Sequence, residues 1–300
     1  MTTVSCVVPT HLRTDYLGSA LRSVVAQSLP PDEIIVVSDV VDDVARAECE
    51  VLATSSGISI TYVESPPGQS GAASSRNVGA ATSTGDLIAF LDDDDLWAPD
   101  YLQRAVERLK DSGSELVVTW LEEFSEERRR PGESISAGLR AQDAAAMNPG
   151  ATGSNIVVTR QSFDRVGGFD PALRVKNDTD FLFRFLRSAG TYSVVEERLV
   201  LQRKHQSGQL TAKTEMRAAG TELYLAKHMA HLTAADVRTL RLYIHRIRSH
   251  SAKTGVGRVY NMLSMARYYS LSELLQRLRR GRDTTYIEVK GFTNVDTDSK

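Results

Sequence analysis

Short apolar runs alternate with amphipathic stretches along the first hundred residues. The apolar runs cover residues 4–8, 33–37, 58–63 and 87–91, and their length and composition are typical of buried strands. Helical spacing of apolar residues fills the intervals 15–27, 42–57 and 72–82. Strands that alternate with helices predict an α/β fold, with a mostly parallel, doubly wound sheet whose first, second and fourth strands end at a shared edge.

Beyond residue 99 the alternation continues and then gives way to helical patterns. The pattern predicts a helix to about residue 111, and then strands at 115–120, 156–159 and 192–201 with helices at 161–168 and 178–188. The charged run 122–130 is expected to be a solvated loop or a frayed helix. We expect an α/β domain over 1–212 and a helical C-terminal extension over 213–300, with capping boxes formed by Thr233 with Asp236 and by Ser270 with Glu273.

The fourth apolar run leads directly into four consecutive acids, Asp92, Asp93, Asp94 and Asp95. In open α/β sheets, ligands bind at the carboxyl edge where these acids are expected to lie. Adjacent carboxylates repel one another, and a divalent cation would relieve that repulsion. Carboxylate oxygens suit Mg²⁺ or Mn²⁺, ions that usually also bind a substrate phosphate. The alternative is a solvated acidic turn that precedes a helix starting at Pro99.

Composition is that of an ordinary soluble enzyme. The 300 residues are 41% hydrophobic and carry a formal net charge of −2, so charge over the whole chain favours neither nucleic acid nor membrane. Cys6 and Cys49 are the only cysteines, which excludes a disulfide framework and a cysteine zinc site. Without a signal sequence or an apolar stretch of membrane-spanning length, we expect a cytoplasmic protein, with possible contact to the inner face of the cell membrane.

Four motifs in order resemble the family 2 glycosyltransferases, which have the GT-A fold. The resemblance extends over residues 3–210. Its motifs are Val-Val-Pro-Thr at 7–10 with the strand and acid at 33–39, Ser-Arg-Asn-Val-Gly at 75–79, Phe-Leu-Asp-Asp-Asp-Asp-Leu-Trp at 90–97, and Val-Gly-Gly-Phe-Asp at 166–170 followed by Asn-Asp-Thr-Asp at 177–180. The third motif resembles the DxD element of the family. Each motif alone is weak, but their order and spacing together are specific.

This resemblance implies an inverting transfer of a sugar from a UDP-sugar to an acceptor hydroxyl. It implies that Asp94 holds Mn²⁺ or Mg²⁺, which would stabilise the leaving diphosphate, and that Asp92 lies near the ribose. The acid at the position of Asp178 is the general base that takes the proton of the acceptor hydroxyl. Asn177 replaces an acid that is usual there and would lie on the acceptor side. The alternative for Asp178 is a helix cap, and Asp180 is expected to be structural.

Further donor-binding positions follow from the same resemblance. They are Pro9, Thr10 and Arg13 beside the nucleotide, Asp39 at the uracil edge, and Arg76, Asp92 and Asp93 near the rest of the donor. The guanidinium of Arg76 would offset the carboxylate cluster. Asp39 could instead cap a turn, and Arg13 and Arg76 could be surface charges. Ser38 and Val40-Val41 depart from the acid and Gly-Ser that are usual around Asp39, which weakens the base-binding assignment.

His205 follows the last predicted strand of the α/β domain. Many family members have a histidine there, and an imidazole is a plausible further ligand for Mn²⁺. A lone histidine is otherwise more often a surface residue, so both interpretations stay open.

The C-terminal extension is strongly basic. Between residues 238 and 282 the only acid is Glu273. A solvated face, a surface for an anionic acceptor or membrane, and a homo-oligomer contact are all compatible with this pattern, whereas aromatic interleaving typical of nucleic-acid binding is absent. The acceptor is expected to be a glycan, a glycolipid or a small molecule in cell-surface polysaccharide or glycoconjugate synthesis. A nucleotidyltransferase and a non-catalytic sugar-nucleotide-binding module are the rival functions.

Overall fold

The computed structural model describes residues 2–125, 128–204 and 214–269. Its sheet has nine strands, which are β1 (Val4–Thr10), β2 (Glu33–Ser38), β3 (Ser59–Glu64), β4 (Leu87–Phe90), β5 (Leu96–Trp97), β6 (Leu116–Phe124), β7 (Arg129–Pro131), β8 (Ile156–Thr159) and β9 (Tyr192–Arg203). The helices are α1 (Thr14–Val25), α2 (Asp43–Ser56), α3 (Ala72–Thr82), α4 (Tyr101–Ser112), α5 (Ala141–Ala144), α6 (Arg160–Val166), α7 (Asn177–Arg187), α8 (Glu215–His228), α9 (Ala234–Ser251) and α10 (Gly255–Ala266).

Strand order confirms the predicted doubly wound arrangement of the first half. The strands lie in the order β3-β2-β1-β4-β8-β6-β9-β5, and β7 pairs with β6 at the side. β1 to β4 are mutually parallel, and β6 is parallel to β9. β8 and β5 run antiparallel to their neighbours. Because β1 lies between β2 and β4, the loops after these three strands meet at one edge of the sheet.

Apolar side chains cover both faces of the sheet. Along β1, Cys6 and Val8 point into a core with α1 and α4, and Val7 points into a second core with α3 and α7. This alternation follows from the two-residue period of a strand. Cys6 is fully buried and packs as a small apolar side chain. Gly79 of α3 lies so close to β1 that a Cβ there would stand 2.3 Å from Cγ1 of Val7, so the helix packs tightly against the strand.

The prediction for the charged run 122–130 is wrong, because part of it is a β-hairpin. β6 continues to Phe124 and pairs antiparallel with β7. Glu123 lies opposite Arg130 and forms an ion pair with it, and Glu122 lies 3.9 Å from Arg129. Opposite charges on facing strands stabilise a ladder that the individual residues would not favour. The pairing partner, not the local composition, decides the structure here.

The C-terminal helices pack on the sheet domain through a third apolar cluster. Tyr224 of α8 and Leu240, Ile244 and Ile247 of α9 surround Leu173, which precedes α7. The capping box at Thr233 and Asp236 is confirmed. The predicted capping box at 270–273 and the predicted boundary near 212 lie outside the described residues, so the division into 1–212 and 213–300 stays a prediction. Within the described part of the chain, no helix has the length and apolar character needed to cross a membrane.

Candidate functional site

The acidic residues that follow β4 form a tight turn at the carboxyl edge of the sheet. Leu91 still donates to the carbonyl of Val7 at 3.1 Å, and then the chain turns so that the Asp95 N–H donates to the carbonyl of Asp92 at 3.1 Å. The Thr10 hydroxyl at the end of β1 donates to Asp93 at 2.8 Å. Adjacent parallel strands therefore bring the predicted residues of the first and third motifs into contact.

The alternative of a fully solvated acidic turn is wrong, because Asp93 and Asp95 are buried. Burial raises the pKa of Asp93 to about 6, against the opposing charge of Arg13. Arg13 lies 3.3 Å from Asp93 and 2.7 Å from Asp94. The guanidinium is partly exposed, yet it is more than a surface charge because it bridges two carboxylates of the turn. Thr10, Arg13, Asp93 and Asp94 thus form a single polar group, beside Pro9 at the buried end of β1.

Asp95 anchors the turn from beneath. Its carboxylate accepts from the Ser154 hydroxyl at 2.7 Å and from the backbone N–H of Arg203 at 2.9 Å. Ser154 also accepts from the Asp92 N–H at 3.1 Å, and its carbonyl accepts from the Trp97 indole at 2.8 Å. Burial raises the pKa of Asp95 well above its ordinary value, with Asp94 and Asp92 adding to the effect. Ser154 gave no signal in the sequence, because its partners lie about 60 residues away.

Arg76 lies between the acidic turn and the start of α7. Its buried guanidinium contacts the Asp92 carboxylate on one side and lies 3.5 Å from the Asp178 carboxylate on the other. Burial alone would lower the pKa of Arg76, but Asp92 and Asp178 raise it, so the group stays charged. The surface-charge alternative for Arg76 is therefore wrong. The position offsets the carboxylate cluster, as the resemblance implied.

Gly153 makes room for this guanidinium. A Cβ at Gly153 would lie 1.9 Å from Nη2 of Arg76, which is far inside van der Waals contact. The ring of Phe169 lies 5.1 Å from the guanidinium carbon and covers another side of it. Gly153 is thus a site residue that sequence reasoning missed, because nothing local distinguishes it from a turn glycine.

Asn77 joins the second and fourth motifs. Its amide donates to the carbonyl of Phe169 at 2.7 Å and accepts from the N–H of the same residue at 2.9 Å. A Cβ at Gly168, where φ is +65°, would stand 2.6 Å from this amide. Glycine both tolerates this left-handed backbone and allows the close approach. Two motifs that are distant in sequence are therefore parts of one packed unit.

Asp178 lies in the first turn of α7 with its carboxylate towards Arg76. The residue that caps the helix is Lys176, so the capping alternative for Asp178 is wrong. Burial raises the pKa of Asp178 to about 6, the charge of Arg76 opposes the rise, and the charge of Asp92 adds to it. Asn177 precedes it as the first, buried residue of α7. A carboxyl with this pKa can accept a proton near neutral pH.

Lys176 fixes the start of α7 in an unusual backbone conformation. Its φ of +63° lies in the left-handed region, which costs a non-glycine residue about 1–2 kcal/mol. The amine donates to the carbonyl of Ala146 at 3.1 Å and lies 5.1 Å from the ring centre of Tyr224 in α8. Burial and the charge of Arg217 lower the pKa of Lys176 to about 7. Contacts with α8 therefore offset the strain just before Asp178.

Asp39 links three loops at the same edge. Its carboxylate contacts the imidazole of His11 and accepts from the Gly71 N–H at 2.7 Å. The helix that follows is capped by Asp42, which accepts from the Ala45 N–H at 3.0 Å, so Asp39 does not cap α2. The Asp39 side chain is 7% exposed and lies beside the loop after β1.

The oxygen donors suit a divalent metal, although the protein supplies few of them. Among the residues that the structure describes, no group of three histidine, cysteine, aspartate or glutamate side chains is arranged to hold a metal ion. Asp94 is the predicted ligand, Asp92 of the same turn offers a second carboxylate, and His205, the other predicted ligand, lies outside the described residues. Mg²⁺ and Mn²⁺ commonly bind through one or two carboxylates together with substrate phosphates, so this donor set fits them.

Known proteins of similar sequence are named glycosyltransferases. A relative from Haemophilus influenzae, an uncharacterized glycosyltransferase, is 29% identical over 197 residues, which are 61% of this chain and 62% of the relative. The match thus spans less than two thirds of that relative's length.

Solved structures with a similar fold include nucleotide-sugar complexes. Residues 1–349 of S. aureus TarS with UDP-GlcNAc superimpose with a TM-score of 0.63 at 16% identity, over 89% of this chain and 82% of TarS 1–349. The mannosyltransferase PcManGT of Pyrobaculum calidifontis with GDP-Man and Mn²⁺ gives a TM-score of 0.62 at 18% identity, over 92% of this chain and 78% of PcManGT. These likenesses confirm the expected GT-A fold.

The sequence model of Glycosyl transferase family 2 matches residues 5–167. This span is more than half of the chain and contains the acidic turn, Arg76 and Asp39. With the motifs in contact around one edge of the sheet, the match leaves no ambiguity of family: the chain belongs to glycosyl transferase family 2.

Proposed function

We propose that the protein is an inverting glycosyltransferase that moves a sugar from a nucleotide-diphosphate donor, in the first instance a UDP-sugar, to an acceptor hydroxyl. The observation that carries the proposal is the chain of contacts from Asp92 through buried Arg76 to Asp178. These contacts connect the donor-side acidic turn to Asp178, a carboxyl whose pKa is raised to about 6 by burial. Such a carboxyl is suited to general-base catalysis.

Each residue has a defined task in this reaction. The donor nucleotide would lie along Thr10, Asp39 and Asp93, at the edge where the loops after β1, β2 and β4 meet. Asp178 takes the proton from the acceptor hydroxyl while the hydroxyl oxygen attacks the anomeric carbon from the face opposite the leaving diphosphate. A single displacement of this kind inverts the anomeric configuration. Asn177 would orient the acceptor from the neighbouring position.

Arg76 lies between the proposed base, Asp178, and the donor-side acid, Asp92, and its charge offsets the repulsion between the two carboxylates. Without its charge, two carboxylates facing one site would repel each other and would favour protonation of one of them. Its position fixes the Asp178 carboxylate relative to Asp92 by a rigid, charge-assisted contact. Orientation of this type contributes to catalysis because the reacting groups need not be ordered during the reaction.

A divalent metal would bind at the acidic turn through Asp94, with Asp92 as a second candidate. Mn²⁺ or Mg²⁺ supplies Lewis-acid stabilisation of the leaving diphosphate when bound. The guanidinium of Arg13, 2.7 Å from the Asp94 carboxylate, would have to move aside or share this carboxylate. The complex of the similar PcManGT with Mn²⁺ supports a metal of this class.

The donor base and the acceptor define the finer part of the proposal. The similar structures hold UDP-GlcNAc in TarS and GDP-Man in PcManGT, so both nucleotides must be compared. We favour UDP because Asp39 is the acid to which the family resemblance assigns the uracil edge. The proposed acceptor is a glycan, a glycolipid or a small molecule, in the synthesis of cell-surface polysaccharides or glycoconjugates.

Calorimetric titration with UDP and with GDP, each with and without Mn²⁺, tests the donor site. We expect metal-dependent UDP binding that is lost in Asp94→Ala and kept in Asp178→Asn. Absence of binding by both nucleotides with metal would contradict the proposal and favour a different donor. Binding without any sugar transfer across a screen of UDP-sugars would favour the non-catalytic module. Release of diphosphate from a nucleoside triphosphate would instead identify a nucleotidyltransferase.

A further inference from the structure

The outward side of α10 is apolar. We call its five exposed residues the outer stripe; they are Val256, Val259, Tyr260, Met262 and Leu263, with exposed fractions between 55% and 82%. Their spacing of three and four residues places them on one broad side of the helix. Single exposed apolar residues are normal, but a contiguous exposed group marks a contact surface.

The inward side of α10 is polar, which is the reverse of an ordinary surface helix. Asn261 and Ser264 are its buried residues. The Asn261 side chain is paired with the imidazole of His245 in α9 at 2.9 Å and donates to the carbonyl of Gly257 at 2.8 Å. A helix that faced only water would bury its apolar side instead. The orientation of α10 therefore leaves apolar area without a protein partner among the described residues.

Basic residues border the outer stripe. Arg258 and Arg267 are exposed on or beside α10, and Arg241 is exposed on the neighbouring helix α9. The sequence from 237 to 272 contains no acidic residue. Apolar and aromatic residues with flanking lysine and arginine are the composition of helices that lie in the interface of an anionic membrane.

The nearest acids of α8 do not neutralise this face. Glu215 and Glu222 both form ion pairs with Arg248 at 2.6 Å. Glu215, Arg248 and Asn261 line one cleft on the inner side of α10, opposite the outer stripe. The outward face thus keeps its positive charge.

We propose that the outer stripe of α10 binds the surface of an anionic membrane, with the helix in the plane of the lipid headgroups. The apolar side chains would enter the boundary between headgroups and acyl chains, and the basic residues would contact lipid phosphates. A second copy of the chain fits this face less well, because two basic faces would repel each other. The contact lies beyond the proposed sugar transfer, and its test needs no substrate.

Co-sedimentation with vesicles tests the membrane contact. The full chain is mixed with vesicles of phosphatidylcholine containing phosphatidylglycerol, and in parallel with phosphatidylcholine alone. We expect binding that is at least about tenfold stronger to the anionic vesicles and that weakens as salt is raised, because surface charges are screened. Equal or absent binding to both vesicle types would overturn the proposal.

Charge substitutions locate the contact. Val259→Asp with Leu263→Asp should reduce binding to anionic vesicles about tenfold or more. Val51→Asp is the matched control, since Val51 is 64% exposed on the distant helix α2, and it should bind as the unaltered chain does. Reversing charge with Arg258→Glu and Arg267→Glu should remove the preference for anionic lipid. These positions are exposed, so the variants should keep the circular dichroism spectrum of the parent protein.

Two results would assign the surface differently and overturn the proposal. Unchanged vesicle binding by the Val259→Asp, Leu263→Asp variant would show that the outer stripe is not the contact and that another basic segment, such as residues 277–282, binds the vesicles. A dimer in sedimentation equilibrium that the same variant dissociates, together with absence of vesicle binding, would identify the face as an interface between two copies of the chain.

Discussion

Asp178 and Asp180 lie two residues apart in the first turn of α7, but their surroundings are opposite. Asp178 has one cationic partner, Arg76 at 3.5 Å, and the negative charge of Asp92 nearby. Burial therefore raises its pKa to about 6. A carboxyl of this kind is poised to take up a proton.

Asp180 is fully buried among three cationic or hydrogen-bonding partners. Arg184, Lys227 and His228 each lie 2.7 Å from its carboxylate. Burial alone would raise the pKa of Asp180, but hydrogen bonds from His228 and Lys227 and the charge of Arg184 lower it to about 2. Because His228 and Lys227 belong to α8, this carboxylate fastens α8 to α7, as expected for a structural residue.

Burial alone therefore does not identify a catalytic acid. The Asp180 side chain is fully buried and the Asp178 side chain is 28% exposed, yet the pKa is lower for the more deeply buried group because it meets more donors. A carboxylate with many donors stabilises the fold in its charged form, whereas one with a single donor and a like charge nearby keeps a proton affinity useful for catalysis.

Removal of the proposed base should have the largest effect. Asp178→Asn keeps the shape of the side chain but cannot accept the acceptor proton, so we expect kcat to fall about 10²–10⁴-fold with little change in donor affinity. Calorimetry and turnover assays on the same preparation measure both quantities. Turnover within a few-fold of the parent enzyme would remove Asp178 from the base role.

Asp180→Asn should act on stability instead. Removing one partner of a buried ion pair leaves uncompensated charge and typically costs about 3–5 kcal/mol, so we expect a loss of this size in the free energy of unfolding. Urea denaturation followed by circular dichroism measures it. A large loss of kcat in an Asp180→Asn variant that is as stable as the parent would contradict the structural role of Asp180 and would assign it to catalysis with Asp178.

Filling the space beside Arg76 should have an intermediate effect. Gly153→Ala introduces a Cβ 1.9 Å from Nη2 of Arg76, so the guanidinium must shift away from Asp178 and Asp92. We expect a destabilisation of about 1–3 kcal/mol, as for other overpacked sites, and a loss of turnover. Gly255→Ala is the matched control, because a Cβ there meets no atom within 4 Å, and it should be neutral. Full activity in Gly153→Ala would show that the position of Arg76 is not critical.

The smallest effects should appear in the pH dependence of unfolding. The folded pKa of Asp178 is raised to about 6, so its ionisation disfavours the native state as pH rises from about 4 to 6. Asp178→Asn should therefore gain stability relative to the parent across this interval and keep the gain at pH 7. The folded pKa of Asp180 is lowered to about 2, so its stabilisation is complete above the unfolded pKa and is lost as pH falls towards 2. Thermal melts of the two variants at each pH distinguish these signs.

Local pattern predicted much of the fold and the acidic turn. The apolar runs of β1, β2 and β4 are continuous and end at polar residues, so both the strands and the shared edge follow from the sequence. The prediction misses the hairpin of β6 and β7 because the partners of Glu122 and Glu123, which are Arg129, Arg130 and Lys204, come from other strands or from a strand end. The pattern of residues along one strand does not show which residues will pair with it from another strand.

The candidate site likewise contains residues that the sequence predicts and residues that it does not. Asp94, Asp178 and Arg76 belong to motifs with characteristic neighbours, whereas Gly153 and Ser154 act through partners about 60 to 80 residues away. His228 has no distinguishing neighbours in the sequence, and only the packing of α8 on α7 brings it to Asp180. Contacts of this range depend on the tertiary fold.

The most direct test of the contrast between Asp178 and Asp180 is a carbon-13 NMR titration of the aspartate carboxyl groups, assigned with Asp178→Asn and Asp180→Asn. We expect Asp178 to titrate with a pKa of about 6 and Asp180 with a pKa of about 2. Titration of Asp178 at or below the ordinary aspartate value would contradict the assignment of this residue as the general base.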